Sequence, residues 1–284
     1  MERVRRAMGV TDLAAFADRL RVPTGGPVDL ATIDADATPG FDGDEEDADD
    51  ELAVLHGELF DFQERLWAER RQSMLIVLQA LDGGGKDGVI GNVFTAFNPQ
   101  GVRVTGFGVP TEEELAHDFL WRVHPHAPGR GRIAIFNRSH YEDVLVVRVA
   151  RLAPASVWRP RYAQINDFER LLAASGTTIL KFLLHISRDE QRERFQKRLD
   201  NPAKRWKFRL GDLEARAQWD AYQSAYNEAL TRCSPETAPW FIIPANRKWY
   251  RDLAVARVVA DAARRMAPQF PEPEEDLSGV GIVE

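Results

Sequence analysis

Five short runs rich in apolar and β-branched residues punctuate the chain: Met74 to Gln79, Val102 to Phe107, Ile133 to Phe136, Thr178 to Ile186 and Trp240 to Ile243. Segments of helical periodicity separate them, and buried strands alternating with helices predict a mostly parallel five-stranded sheet with right-handed crossovers. Upstream, Leu52, Leu55, Leu59, Phe62 and Leu66 recur at three-four spacing, predicting a helix that ends near Arg70-Arg71 and leans on the sheet with one apolar stripe. Thr111-Glu-Glu-Glu114 reads as a capping box before Leu115, Phe119 and Val123, and Trp219, Tyr222, Tyr226 and Leu230 stripe a later helix. Between residues 30 and 50, acids from Asp34 to Asp50 crowd among small residues, a pattern too charged to pack that reads as a solvated linker. The tail after Ala267 carries Pro268, Pro271 and Pro273 among acids and predicts little regular structure. The expected organisation is an N-terminal extension with an acidic linker over 1–50, one α/β domain over 51–267 with a lid at about 188–212, and a flexible tail over 268–284.

The first strand runs into Ala80-Leu-Asp82-Gly83-Gly84-Gly85-Lys86-Asp87-Gly88 and then a helical pattern. Glycines let backbone N–H groups turn around anionic oxygens, a helix start adds its positive dipole end, and Lys86 can reach a terminal phosphate. Against the strict G-x-x-x-x-G-K-[ST] pattern, Ala80 replaces the first glycine and Asp87 the hydroxyl residue that would hold magnesium. Asp82 and Asp87 are therefore the nearest metal candidates. Asp87 reads equally as a first-turn acid favoured by the helix dipole, whereas a carboxylate such as Asp82 inside a phosphate loop needs a metal or proton to offset repulsion.

The third strand runs into Asn137-Arg138-Ser139-His140-Tyr141-Glu142-Asp143, with Arg148 beyond. Arg138 directly follows a buried strand, where its planar fork suits phosphate oxygens, with an ion pair to a neighbouring acid as the other reading. Ser139 to Glu142 also fits a capping box, and Asp143 reads either as a magnesium-side carboxylate or as a helix-start acid. Arg194, Lys197, Arg198, Lys204, Arg205 and Lys207 cluster around an Asn201-Pro202 break. Their local positive excess suits a lid closing on phosphates, the alternative being a solvated face of i,i+4 ion pairs.

Composition narrows the partners. A net charge of −7 argues against wholesale nucleic-acid binding, so a polyanion must meet a local basic patch. No apolar run approaches the roughly 20 residues of a membrane span, and the start Met1-Glu-Arg-Val-Arg-Arg lacks a secretory apolar stretch, so a cytoplasmic protein is expected. The single cysteine, Cys233, excludes intrachain disulfides and reads as a small packed residue near a helix end. Six scattered histidines offer no zinc spacing, and His117 and His185 read as packed residues.

From about Leu52 to Arg264 the chain resembles the polyphosphate kinase 2 family, and within it the class III subgroup. The glycine loop, Asn98-Pro-Gln-Gly101, Pro110 to Arg122, Ile135 to Arg148 and the Arg192 to Lys207 segment carry the resemblance. It implies a P-loop kinase-like three-layer sandwich with a helical lid and Walker A and B elements. The implied activity is phosphoryl transfer from inorganic polyphosphate to AMP or ADP, giving ADP or ATP, with the reverse possible, in a homo-oligomer using magnesium or, in its place, manganese. Carried over by motif, Asp82 and Lys86 become the catalytic loop pair, Arg138 an arginine on the transferring group and Glu142 a nucleotide-side acid. Gly83, Gly84, Gly85, Asp87, Gly88, Asn137, Tyr141 and Arg148 are the expected phosphate and nucleotide contacts, the lid cations meet polyphosphate, and Asp82 with Asp143 holds metal. Gly83 and Gly84 stand where the family commonly has alanines, which is expected to loosen the loop. An ATP-dependent nucleoside monophosphate kinase would share sheet, loop and lid and is the rival reading.

Overall fold

In the computed structural model, which describes residues 12–275 and residue 280, each predicted run becomes a strand: β1 Ser73–Gln79, β2 Val102–Gly106, β3 Ile133–Asn137, β4 Thr177–His185 and β5 Trp240–Pro244. All pair in parallel, in the order β2-β3-β1-β4-β5. The central β1 is buried along its length and alternates between two cores: Met74, Ile76 and Leu78 face one helical layer, Leu75 and Val77 the other. This is a three-layer α/β sandwich.

The first layer holds α1 (Leu13–Leu20), α2 (Glu45–Glu69), α3 (Lys86–Asn92) and the last helix, which spans Lys248–Met266. Helix α2 buries the predicted Leu55, Leu59, Phe62 and Leu66 and ends at Arg70, whose φ of 54° breaks the helical path. It begins earlier than expected, however, inside the acidic segment. Asp44 caps it and Glu45, Glu46 and Asp47 occupy its first turn, where the helix dipole favours negative charge. The rest of the acidic segment is tied down as well, since Asp36 accepts from Asn246 and Arg247. Acid-rich composition marked a helix start and its approach, not a free linker. Of the predicted tail, 268–275 carry no helix or strand, and 276–279 and 281–284 lie outside the described residues.

Beyond β2, the capping box at Thr111 and Glu114 forms as predicted but opens only the single turn α4 (Glu112–Leu115). Helix α5 is Val146–Val149, α6 Ala155–Trp158 and α7 Arg161–Ala174. Helix α8 is Arg188–Asp200, α9 Leu210–Ala217, α10 Trp219–Arg232, and the last helix is α11. Residues of α7 and α10 fill the second layer, and Cys233 is the buried C-cap of α10. In α11 every residue from Tyr250 to Ala263 is buried, so it shows no polar stripe, and paired Arg257–Glu51 and Arg264–Glu58 clamp it to α2. The carboxyl ends of β1, β3, β4 and β5 meet at one rim, where ligands bind in sheets of this class.

Candidate active site

At that rim the loop after β1 turns sharply. Gly85 has a φ of 101°, open to glycine and strained for other residues, and a Cβ there would collide with the Arg251 guanidinium. A Cβ at Gly84 would collide with that of Ala80. The loop is not slack: Gln191 Nε2 donates to Asp82 O at 2.8 Å, and Arg194 donates to Gly83 O at 2.9 Å and Ala245 O at 2.6 Å. The expected loosening by Gly83 and Gly84 is therefore offset by side chains from α8. Arg194, predicted to project from the lid, is instead buried under the loop because backbone carbonyls from two strand ends converge on it.

Lys86 opens α3, is nearly enclosed, and donates to Ala80 O at 2.9 Å. Burial lowers its pKa, opposed by Asp82. Arg138 has a φ of 62°, its N–H donating to Leu78 O at 3.0 Å, so the chain leaves β3 through a left-handed residue. Such strain persists only where surrounding bonds fix it. Its guanidinium meets Asp82 at 2.7 Å. Glu142 does not form the capping box; Ser139 Oγ instead accepts from Tyr141 N at 3.2 Å and from Gln79 at 3.1 Å. Left free of the helix start, Glu142 faces the loop, where burial raises its pKa against the pull of Arg138 and Lys86. Two acids and two bases thus share one small space, an arrangement suited to holding highly charged phosphates in defined positions.

Other predicted residues separate. Asp87 accepts from Asn137 at 2.9 Å and lies 3.7 Å from Lys207, so the loop helix, the β3 end and the lid meet there. Lys204 and Arg205 are exposed, Lys197 pairs with Glu193 in the i,i+4 manner, and Arg198 faces Asp212 at 3.9 Å. Gly88 packs against Arg251. Asp143 turns away to Arg161 at 3.0 Å, and the charges acting on it are Arg161, Arg122 and His140, none from the loop cluster. The structure does not bring it to Asp82 as a metal partner.

Tyr141, expected to touch nucleotide, has no exposed surface. Its hydroxyl donates to Glu169 at 3.0 Å and accepts from Lys181 at 2.9 Å. One residue along a tight turn flips the side chain from the rim into the core. Arg148 donates to Glu228 at 2.6 Å and reaches Tyr162 and Ser224, so its charge is already met. Of the histidines singled out, His185 packs with Nε2 3.1 Å from Ile33 O, whereas His117 is exposed and stacks on Trp121.

Sequence reasoning missed Arg251, held by Asp252 beneath Gly85 and Gly88; the adjacent Arg-Asp pair at the start of an alanine- and valine-rich helix was the available signal. It also missed Tyr222, whose pKa is pushed up to about 12 by burial and by Glu142 and Asp82, and Asp212, raised by burial and Asp82. Both line the cluster from helices α10 and α9, and neither spacing nor motif distinguishes them from core or surface positions.

Among the described residues no three His, Cys, Asp or Glu gather as a metal-binding group, and no helix is long and apolar enough to cross a membrane. Magnesium commonly takes only one or two protein carboxylates beside phosphate oxygens, and partly exposed Asp82, with one oxygen engaged by Arg138, fits that donor set.

The family model for Polyphosphate kinase 2 (PPK2) matches residues 42–271. The chain is 56% identical over 256 residues to an AMP/ADP-polyphosphate phosphotransferase of Meiothermus ruber, covering 90% of this chain and 96% of that one. It is 41% identical over 266 residues to an ADP-polyphosphate phosphotransferase of Rhodopseudomonas palustris, covering 89% and 92%. The crystal structure of Polyphosphate Kinase 2 from Arthrobacter aurescens TC1 superposes with a TM-score of 0.89 at 44% identity, covering 93% of this chain and 94% of that one.

Proposed function

Because the chain belongs to the polyphosphate kinase 2 family, we propose that it transfers the terminal phosphoryl group of inorganic polyphosphate to AMP and ADP. An acceptor phosphate oxygen forms the new P–O bond as the donor's bridging P–O bond breaks, leaving the nucleotide one phosphate longer and the polymer one shorter. Acceptor phosphates are largely ionised at neutral pH, so the work is positioning and charge neutralisation rather than proton abstraction.

The observation that carries this reading is the four-residue cluster at the strand rim inside a chain 56% identical to an AMP/ADP-polyphosphate phosphotransferase. Lys86, desolvated and held by Ala80 O, neutralises oxygens of the phosphoryl group in transfer. Arg138 binds the same group, and Asp82 holds the Arg138 fork in place. Asp82 would hold a divalent ion, magnesium or manganese, which would supply further charge neutralisation. Glu142 faces the acceptor side. Lys204, Arg205 and Lys207 lead the polymer towards the loop, and the lid excludes water that would hydrolyse the donor.

The direct test mixes purified protein, magnesium and long-chain polyphosphate with AMP or ADP and no ATP. ADP and ATP appearing from AMP is the expected outcome. Silence with polyphosphate but turnover with ATP as donor would instead support the nucleoside monophosphate kinase reading.

A further inference from the structure

Residues 28–41 cross the carboxyl ends of β4 and β5 as a strap that lies before residue 42, where the match to the family model begins. Side chains from both helical layers pin it. Val28 N and Leu30 N donate to Thr231 and Asn227 of α10 at 3.1 and 3.0 Å, and His185, the last residue of β4, donates from Nε2 to Ile33 O at 3.1 Å. From α11, Tyr250 and Arg257 donate to Pro39 O at 2.8 Å and Gly40 O at 3.1 Å. Midway lies Asn246, just past the end of β5, whose N–H donates to Ala35 O at 3.1 Å.

The Asn246 side chain faces two ways. Its Nδ2 donates to Asp36 of the strap at 3.1 Å and to Ser187 Oγ at 3.2 Å, while its Oδ1 accepts from Ser187 N at 3.0 Å. Ser187 is the N-cap of α8, its Oγ accepting from Glu190 N at 3.1 Å. Helix α8 carries Gln191 and Arg194, which donate to Asp82 O and Gly83 O, and Arg194 also donates to Asn246 O at 3.1 Å. An unbroken series of hydrogen bonds therefore runs from Asp36 through Asn246 and the start of α8 to the glycine loop. A displacement of about 1 Å at a reacting group costs on the order of 100-fold in rate, so the seating of this loop matters to transfer. We propose that Asn246 is a positioning residue: it fixes the start of α8 against β5 and so sets the loop that carries Asp82 and Lys86, with Asp36 of the strap holding its amide. The inference rests on the phosphoryl-transfer reading and adds to it a residue that acts through Ser187 and Arg194.

The test compares the full-length wild type with Asn246→Ala, Asn246→Asp, the double variant Asn246→Asp with Asp36→Asn, and Tyr250→Phe. In Asn246→Asp the new carboxylate still accepts from Ser187 N but meets that of Asp36; adding Asp36→Asn restores a donor and an acceptor with their directions exchanged. Tyr250→Phe removes a strap bond that does not pass through Asn246. Initial rates with ADP and polyphosphate, hydrogen exchange of the loop amides without donor, and thermal midpoints are measured on each. Expected are a fall of about 10-fold in kcat in both single Asn246 variants, with the KM for ADP within about two-fold, and faster loop exchange. The double variant should regain kcat to within about three-fold of wild type together with loop protection, and Tyr250→Phe should lower the midpoint alone. Asn246→Ala keeps the test intact should the paired carboxylates disturb folding. A lower midpoint with wild-type kcat and loop exchange in the single Asn246 variants would make the residue merely structural and overturn the proposal, as would a double variant no better than Asn246→Asp. If wild type turns over only with ATP as donor, the polyphosphate reading falls, yet loop exchange still decides the role of Asn246.

Discussion

Two charged clusters lie about the same turn of chain, and they differ in how completely they are partnered. At the rim, Lys86, Asp82, Arg138 and Glu142 share one space with Arg138 and Asp82 still partly exposed. Behind it, Lys181 donates to Glu169 at 2.5 Å, to Tyr141 at 2.9 Å and to the Cys233 carbonyl at 2.7 Å, and His140 lies 3.2 Å from Glu169, all four side chains without exposure. Burial alone would raise the Glu169 pKa, but Lys181 and His140 outweigh it and leave the carboxyl below its ordinary range. The closed cluster has its charges met internally and holds β4, α7 and the His140–Tyr141 turn together. The open cluster leaves Arg138 and Asp82 within reach of solvent, and so of a ligand. Completeness of partnering, rather than burial of charge as such, separates a structural network from one built to meet a ligand.

Removing the Lys86 charge should give the widest split between activity and stability. Lys86→Met is expected to lower transfer rates by about 10³-fold, because a transition-state donor is lost. Burial depresses the Lys86 pKa, so the stability linked to its proton equilibrium is full above 10.5 and lost as pH falls through the lowered value. At neutral pH the charge is therefore a cost to the unliganded fold, and the thermal midpoint of the variant should be unchanged or higher.

The same type of change in the closed cluster should do the opposite. Lys181→Met strands an ionised Glu169 in the core and is expected to cost about 3–5 kcal/mol, seen as a fall in denaturant midpoint, while Lys181→Met with Glu169→Leu recovers much of it. A single variant as stable as wild type would erase the distinction between the clusters.

Glu142→Gln tests the boundary between them. Because burial raises the Glu142 pKa, its stability contribution is full below 4.5 and lost as pH rises through the raised value. The glutamine variant should melt no lower than wild type at pH 7 while transferring phosphate about 10-fold more slowly, and its melting advantage should vanish at pH 4. Next door, Tyr141→Phe removes one hydroxyl from the closed network and should cost about 1 kcal/mol with little change in the KM for nucleotide, measured by melting and initial rates. A large rise in nucleotide KM would restore Tyr141 to the binding surface.

The smallest effect belongs to the lid contact. Asp87→Asn removes the charge facing Lys207 at 3.7 Å, a largely exposed pair worth at most about 1 kcal/mol. A modest rise in polyphosphate KM at low salt, absent at high salt, is expected from initial-rate measurements.

How far these distinctions were legible depends on the kind of signal. The Met74–Gln79 strand, the glycine turn and Lys86 announce themselves because a strand buried on both faces and a left-handed backbone require particular residues locally. The pair Tyr141 and Glu142 could not be sorted, since both follow Ser139 in one turn and their opposite directions depend on Lys181 and Glu169, tens of residues away. Arg194 read as a lid cation because its neighbours are charged; its burial follows from carbonyls at Gly83, Ala245 and Asn246 that only folding assembles.

The sequence by itself determined the strands, the glycine loop and the family, since each rests on short-range periodicity or contiguous motifs. Only the tertiary structure decided which charges face a ligand and which close on one another. That choice depends on distances between side chains remote along the chain, and a charge's effect on its neighbours is set by separation and solvent access, neither of which the order of residues contains.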